Sequence, residues 1–198
     1  MFTCARFCSE IIPSGVSFTS ARCGVIGITP WHGMSGTMNS PLNPSSIATD
    51  ERVLNKANGS GAGWTFNISH SSPGDMRLKL IDASNNIADV TVAAGVVSSV
   101  WQHVTVTVHR GSTTGIIFYL NGAVVGTPQS DNSVNQSIST SGISLGIGTI
   151  PNFLGNYFPG NIDEVGIWNR ALSASEVATL YHSGSGDPFG NSSCGFSY

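Results

Sequence analysis

A succession of short alternating segments, each ended by turn-forming residues, most restricts what this chain can fold into. Residues 64–69 carry an apolar side chain at every second position, and residues 101–108 and 116–120 keep branched and aromatic side chains at similar spacing. The last of these runs into Asn121-Gly122, a strong signal for a two-residue hairpin turn. Short strands with a turn every ~8–12 residues predict an antiparallel β-sandwich.

Residues 162–168 are the last segment with this pattern. They alternate branched, aromatic and acidic residues, which predicts one continuous strand. Adjacent residues of a strand point to opposite faces, so Asp163 and Glu164 are expected on opposite sides of the sheet. The alternation also places three tryptophans in the core: Trp64, Trp101 and Trp168.

A single short helix is predicted directly after this strand. Ser173 and Glu176 have the spacing of a capping box, in which each side chain satisfies a backbone N–H of the other residue. Leu172 and Val177 have the positions of the hydrophobic staple that accompanies such a cap. Gly184 is the expected C-terminal stop.

The motif Phe-x-Gly-x-Ile-Asp-Glu-Val-x-Ile-x-Asn-Arg-Ala-Leu-Ser-x-x-Glu-Val, which begins at Phe158, resembles the closing motif of laminin G-like domains of the concanavalin A-like superfamily. Residues 101–107 and 118–122 are similar to two further family motifs, in family order. The resemblance covers residues 51–186 and is of the type seen in bacterial and phage members. It implies an all-β, antiparallel jelly-roll β-sandwich with one short C-terminal helix.

The same boundaries divide the chain into three parts. Residues 1–50 are a divergent N-terminal segment that is either an arm or the first strands of the sandwich. Residues 51–186 form the laminin G-like sandwich, and residues 187–198 are a tail. Within the first part, residues 30–36 and 39–46 are dense in turn formers and are predicted to be loops.

The composition indicates a protein that works outside the cell. Of the 198 residues only 10% are charged, and the net charge is −3. A polar but weakly charged surface suits an extracellular, cell-surface or virion protein. The missing clusters of lysine and arginine argue against binding of nucleic acid. No apolar run approaches the ~18–20 residues that span a bilayer, so membrane insertion is not expected.

The four cysteines lie near the two ends of the chain, outside the best-patterned region: Cys4, Cys8, Cys23 and Cys194. Four cysteines allow three complete pairings, among which the sequence does not choose. Disulfides and free thiols are equally good interpretations. Zinc is the weakest one, because no second cysteine pair completes a ligand set.

Catalysis is not expected. Hydrolases of the superfamily carry a Glu-x-Asp-x-x-Glu pattern on one strand, so that one carboxylate attacks while another donates a proton. That pattern is absent, and the expected opposite orientation of Asp163 and Glu164 excludes them as a facing pair. His103 and His109 have no nucleophile in a recognisable elbow nearby.

Structural calcium is a weaker hypothesis, which the resemblance implies at Asp163. One aspartate, backbone carbonyls and waters supply the six to eight oxygens that calcium takes. The alternative is architectural: Asp163 accepts hydrogen bonds from neighbouring backbone amides or pairs with Arg170.

Aromatic and amide side chains in two loops are the candidate ligand-binding residues: Asn152, Phe153, Asn156 and Tyr157 in one, and Trp31 in the other. Aromatic faces stack on sugars, and amide groups bind hydroxyls. The alternative for each aromatic residue is that it plugs the edge of the sandwich or packs on another subunit.

Together these features predict a non-catalytic, surface-displayed domain for carbohydrate recognition or adhesion. The alternative is a structural virion component, such as a capsid decoration or tail-associated protein, whose N-terminal arm docks on other subunits. The expected partner is accordingly a glycan or other protein subunits, with a homo-oligomer among the options.

Overall fold

The computed structural model describes residues 16–17, 35–48, 50–57, 61–139, 142–150 and 157–184, which form two packed β-sheets and one helix. The strands in chain order are β1 (Val16–Ser17), β2 (Gly36–Pro44), β3 (Glu51–Lys56), β4 (Gly63–Ile68), β5 (Met76–Ile81), β6 (Ile87–Val92), β7 (Gln102–Val108), β8 (Ile116–Leu120), β9 (Ala123–Gln129), β10 (Gly146–Ile147), β11 (Gly160–Ile162) and β12 (Gly166–Trp168). Helix α1 (Ala174–Tyr181) follows them and ends in a short 3-10 turn, His182–Gly184.

The larger sheet has the order β1-β11-β2-β7-β8-β9, and β12 also pairs with β2. The smaller sheet has the order β10-β3-β4-β5-β6. All pairs are antiparallel except the two-residue β1, which runs parallel to β11. The prediction of an all-β jelly-roll sandwich with one short C-terminal helix is confirmed.

The core lies between the two sheets and follows the alternation of the sequence. Trp64 and Phe66 of β4 face Val104 and Val106 of β7 across the sandwich, and all four side chains are buried. Phe66 also contacts Phe118 of β8, with ring centroids 6.5 Å apart. The predicted core position of Trp64 is confirmed.

Strand β2 corrects the prediction that residues 39–46 form a loop. It pairs with β7 on one side and with β11 and β12 on the other, inside the larger sheet. Met38 and Leu42 lie in the core, and their burial outweighs the weak strand propensity of the prolines and asparagines around them. Part of the segment 1–50 therefore belongs to the sandwich.

The predicted continuous strand 162–168 is also wrong, because a β-bulge interrupts it. Ile162 pairs with Leu42 and Gly166 pairs with Asn39, so three residues of this strand oppose two of β2. Proline lacks a backbone N–H, and sheets tolerate it at bulges. Pro41 lies at this point, and its carbonyl accepts a hydrogen bond from the N–H of Asp163 at 3.0 Å.

Helix α1 packs on the outer face of the larger sheet. The capping box of Ser173 and Glu176 is present, and Leu172 and Val177 are both buried against Tyr119 of β8. These predictions are confirmed.

Two predictions at the edges of this helix need correction. The residue that ends α1 in the left-handed conformation is His182 (φ 43°), two positions before the expected Gly184. Trp168 is half-buried and packs against the helix cluster on the outer face, so it is not a residue of the central core.

Candidate functional site

A groove of about 220 Å³ opens where β2, β7, the bulge and the C-terminal end of α1 meet. It lies on the face of the larger sheet that α1 covers, beyond the end of the helix. The aromatic, imidazole and acidic residues of its lining come from three separate parts of the chain: Trp101, His103, Asp163, Glu164 and Tyr181.

The bulge brings two carboxylates to this groove. Its extra residue lets Ile162 and Val165 both enter the core, although residues three apart in a regular strand face opposite sides. Glu164 takes a left-handed conformation (φ 40°), and Asp163 Oδ1 accepts a hydrogen bond from its backbone N–H at 2.8 Å. Both acidic residues line the groove, which corrects the expectation that they lie on opposite faces.

Trp101 forms an exposed wall of the groove, with 45% of its surface accessible to solvent. The prediction that it is a core residue is wrong. Trp101 immediately precedes β7 and shares the odd-numbered phase of His103, whereas Val104 and Val106 have the even-numbered phase that faces the core. An aromatic side chain half open to solvent offers a flat apolar surface to a ligand.

His103 lies at the buried side of the groove and is only 4% accessible. Neither ring nitrogen has a hydrogen-bond partner among the residues that the structure describes. The ring packs against Tyr181, with centroids 5.8 Å apart and the planes tilted by 45°. A buried donor or acceptor that lacks a hydrogen bond costs about 1–3 kcal/mol of stability. The buried His103 side chain therefore lowers the stability of the fold.

Burial lowers the pKa of His103 to about 4. The imidazole is therefore neutral at physiological pH, with one ring nitrogen as a donor and the other as an acceptor. A neutral imidazole with both functions unused is suited to a polar ligand that can both donate and accept.

The Asn121-Gly122 turn holds this part of the groove in place. Both residues have positive φ (51° and 77°), as a two-residue hairpin of the predicted type requires. Asn121 donates its N–H to the carbonyl of His103 at 2.8 Å and accepts the His103 N–H on its side-chain oxygen at 2.9 Å. A Cβ on Gly122 would lie 3.1 Å from Tyr181 Cδ1, so the turn also supports Tyr181.

Of the residues predicted to bind ligand, Tyr157 is the one that the structure describes. Tyr157 is half-buried in the segment that leads into β11, and it does not line the groove. The other candidates lie outside the described residues: Trp31, Asn152, Phe153 and Asn156, together with Cys4, Cys8, Cys23 and Cys194. Those assignments stay predictions.

Asp163 makes the contact that the architectural alternative to calcium requires, since it accepts a hydrogen bond from the neighbouring amide of Glu164. Among the described residues, no three His, Cys, Asp or Glu side chains are placed to hold a metal ion together. A calcium ion held by one carboxylate and backbone carbonyls stays a prediction. Within the described chain no helix is both long and apolar enough to cross a membrane.

The outer face of the smaller sheet is charged, and its charges are arranged in pairs. Arg77 donates two hydrogen bonds to Asp89, at 2.6 and 2.5 Å, which hold the pKa of Asp89 below its ordinary value. Arg52 pairs with Asp50 at 3.0 Å, and His70 contacts the same carboxylate. These ion pairs and hydrogen bonds link side chains of β3, β5 and β6, and they are explained by the architecture of the sheet.

Four residues of the groove were missed by the sequence interpretation: Trp101, His103, Glu164 and Tyr181. A usable signal existed for the first two, because their phase is opposite to that of the buried valines in the same segment. No local signal existed for Glu164, whose orientation depends on a bulge opposite Pro41, more than a hundred residues earlier in the chain.

A protein-family model described as the concanavalin A-like lectin/glucanases superfamily, of laminin G type, matches residues 31–178. No curated protein matches the sequence. Many solved structures share the fold.

Among the similar structures, the CBM40 module of the Ruminococcus gnavus IT-sialidase, bound to α2,3-sialyllactose, is 15% identical with a TM-score of 0.56. The match covers 76% of this chain and 84% of the module. Domain 4 of AbnA, an extracellular arabinanase from Geobacillus stearothermophilus, in complex with arabinotriose, is 19% identical with a TM-score of 0.52. Here 76% of this chain and 67% of that chain are covered.

The binding domain of Paraclostridial Mosquitocidal Protein 1 is 21% identical, with a TM-score of 0.56. The match covers 76% of this chain but spans only 37% of that structure. At these identities the likeness shows the shared fold.

Proposed function

Because the chain belongs to the laminin G-type family of the concanavalin A-like lectin/glucanases superfamily, we propose that it is a non-catalytic domain that recognises carbohydrate on a surface outside the cell. The groove between Trp101 and Tyr181 is the site. The observation that carries this proposal is that one groove combines a half-exposed tryptophan with a buried histidine whose ring nitrogens have no hydrogen-bond partner in the described chain.

Sugar recognition needs the kinds of group that this groove contains. The apolar face of a sugar ring stacks on an aromatic side chain, and its hydroxyls exchange hydrogen bonds with carboxylates, imidazoles and backbone groups. Trp101 supplies the aromatic surface, while Asp163 and Glu164 supply acceptors. A shallow site of this size binds weakly by itself, and many copies on a surface would raise the overall affinity.

The similar structures support a binding role. Two of them are described with a sugar ligand, and a third is the binding domain of a toxin. The two sugar-bound chains are also covered over most of their length, so the whole of this sandwich corresponds to one such module. The low content of charged residues agrees with display at a cell surface or outside the cell.

A non-catalytic role is favoured by the way the two carboxylates are held. Glycoside hydrolysis needs two carboxyl groups on either side of the scissile bond. Asp163 and Glu164 are consecutive residues of one bulge, and one oxygen of Asp163 is used to bind the backbone of Glu164. Their arrangement suits the binding of hydroxyl groups.

The alternative is a structural virion component, such as a decoration or tail-associated protein, that docks through residues 1–50. It stays a prediction, because most of that segment lies outside the described residues. The described strands of that segment, β1 and β2, both belong to the larger sheet. This position supports the recognition hypothesis, since an arm would extend away from the sandwich.

The proposal is tested with a glycan array, followed by calorimetry on the best ligand. Replacing Trp101→Ala should weaken binding by about fivefold or more, because a stacked aromatic surface contributes on the order of 1 kcal/mol or more. Ile87→Ala is the matched control, since Ile87 is 46% exposed and lies on β6 of the other sheet. The proposal fails if the wild type binds no glycan, or if both variants lose the same affinity.

A further inference from the structure

The loop between β6 and β7 carries large apolar side chains at the edge of the groove. Three of them are exposed: Val97 (47%), Val100 (50%) and Trp101 (45%). Trp101 also lines the groove, and the two valines precede it in the same loop. These three residues are called the apolar rim below. Apolar surface in water is unfavourable, so a partner that covers the rim would gain binding energy.

The loop holds this rim in a defined position. Val96 is buried in the core and fixes the loop from below. Val97 donates its N–H to Gln102 Oε1 at 2.8 Å, and Ser99 donates its N–H to the carbonyl of Pro44 at 2.6 Å. Ser99 takes a left-handed φ of 63°, which costs energy for a residue with a side chain. The loop therefore presents its apolar side chains from a fixed backbone.

The chemistry of this loop matches a lipid surface. In the sequence, no lysine, arginine, aspartate or glutamate occurs between Asp89 and Arg110. Charged side chains and unsatisfied backbone groups are costly in lipid. Three backbone N–H groups of the loop already have acceptors within the protein, those of Val96, Val97 and Ser99. Tryptophan is enriched where the apolar layer of a bilayer meets its polar head groups.

From these observations we propose that the groove binds the sugar head group of a membrane glycolipid while the apolar rim contacts the lipid beneath it. This inference rests on the proposed carbohydrate function of the groove. In a glycolipid the sugar lies directly above an apolar layer, whereas the sugars of a polysaccharide are surrounded by polar groups. Only the first arrangement gives Val97 and Val100 an apolar partner next to the bound sugar. The contact is shallow and lies at the boundary between head groups and acyl chains.

The experiment displays one glycan on two carriers. The best ligand from the glycan array is coupled to a phospholipid in phosphatidylcholine vesicles and, at matched density, to serum albumin. The gain from multiple copies is then similar on both carriers, so a difference in affinity reports contact with lipid. The wild type should bind the vesicles about tenfold more tightly than the albumin conjugate, because burial of the rim adds apolar contact. The preference should persist at high salt, since the contact involves no charge.

The double variant Val97→Ser, Val100→Ser tests the rim. Its preference for vesicles should fall to about twofold or less. Its affinity for the albumin conjugate should stay that of the wild type, because neither valine lines the groove. Val124→Ser is the matched control, since Val124 is also 50% exposed and lies on β9. It should bind both carriers like the wild type, and melting curves confirm that both variants are folded.

The outcomes separate this inference from the proposed function. Equal affinity for the two carriers, or an unchanged preference in the double variant, overturns the lipid contact and leaves the carbohydrate function standing. Equal binding to phosphatidylcholine vesicles without the glycan overturns the glycolipid assignment. A wild-type dimer that the double variant converts to a monomer in sedimentation also overturns it, because a second copy then covers the rim. No binding of the glycan on either carrier overturns the function and the inference together.

Discussion

Two regions of the larger sheet's outer face differ in the hydrogen bonding of their buried polar side chains. One is the middle, which is covered, and the other is the open end beyond α1, where the groove lies. In the middle, Thr105 of β7 is fully buried and donates its hydroxyl to Asn39 Oδ1 at 2.7 Å. Two residues earlier on the same face, His103 is almost as buried, but within the described parts of the chain neither of its ring nitrogens has a hydrogen-bond partner.

This difference separates architecture from function on one strand. A buried polar side chain that is fully paired stabilises the fold in which it sits. An unpaired one costs stability, and native structures retain few of them. Folding alone explains the middle of the face, whereas at its open end we propose that a ligand completes the hydrogen bonds.

The largest expected effect comes from acid. The unfolded histidine takes a proton near pH 6.5, while folded His103 remains neutral down to about pH 4. The contribution of His103 to the free energy of unfolding is therefore fully present above pH 6.5. It is lost as the pH falls toward 4, by roughly 3 kcal/mol in total. Asp163, Glu164 and Tyr181 are the titratable groups that line the same groove.

Glu51 changes the stability in the opposite direction over an overlapping pH range, because burial raises the pKa of its carboxyl group to about 7. Its contribution is fully present below pH 4.5 and is lost as the pH rises toward 7. The effect of His103 is therefore measured as the difference between the unfolding free energies of the wild type and of His103→Phe, from pH 4 to pH 7. A difference that does not change with pH would contradict the burial of a neutral imidazole.

The second prediction concerns Thr105, the buried polar side chain that has a hydrogen-bond partner. Thr105→Val removes the hydroxyl and leaves Asn39 Oδ1 buried without that donor. We expect a loss of about 2 kcal/mol of stability and no change in glycan affinity, measured by denaturant unfolding and calorimetry. A loss of affinity with unchanged stability would show that the middle of the face belongs to the site.

A smaller loss of stability is expected from a substitution in the turn that supports Tyr181 at the open end of the face. Gly122→Ala forces a side chain into a left-handed residue and toward Tyr181, and both the strain and the displaced ring should weaken the groove. The strain alone costs about 1–2 kcal/mol. We expect this loss in thermal unfolding, together with a several-fold loss of glycan affinity.

Gly111→Ala is the matched control for this substitution. Gly111 has a similar φ of 75°, and a Cβ there would meet no atom within 4 Å. It should lose comparable stability and keep its affinity. If both variants bind like the wild type, Tyr181 is not a wall of the site.

Most of the fold was predictable, because most of its elements carry a local sequence signal. The capping box of Ser173 and Glu176 and the turn at Asn121-Gly122 are determined by neighbouring residues, and both are present as predicted. Strand β2 was not predictable in the same way. Its prolines and asparagines favour turns, and it becomes a strand only through burial between neighbours that are distant in sequence.

The groove was less predictable than the fold, since it is assembled from four distant segments. The orientation of Glu164 depends on the bulge opposite Pro41, and the exposure of Trp101 depends on where β7 begins. Loop composition predicted a binding site around Tyr157, and that assignment stays a prediction. The alternation in residues 101–108 held the useful signal, because it separates His103 from the valines.

The most direct test of the account is the behaviour of His103→Phe at pH 7. Phenylalanine keeps an aromatic ring against Tyr181 and removes both unpaired nitrogens. We predict that this variant is more stable than the wild type, by about 1–3 kcal/mol, and that it binds the glycan at least tenfold more weakly. A variant that loses stability, or that binds as tightly as the wild type, would contradict the assignment of His103 to a ligand.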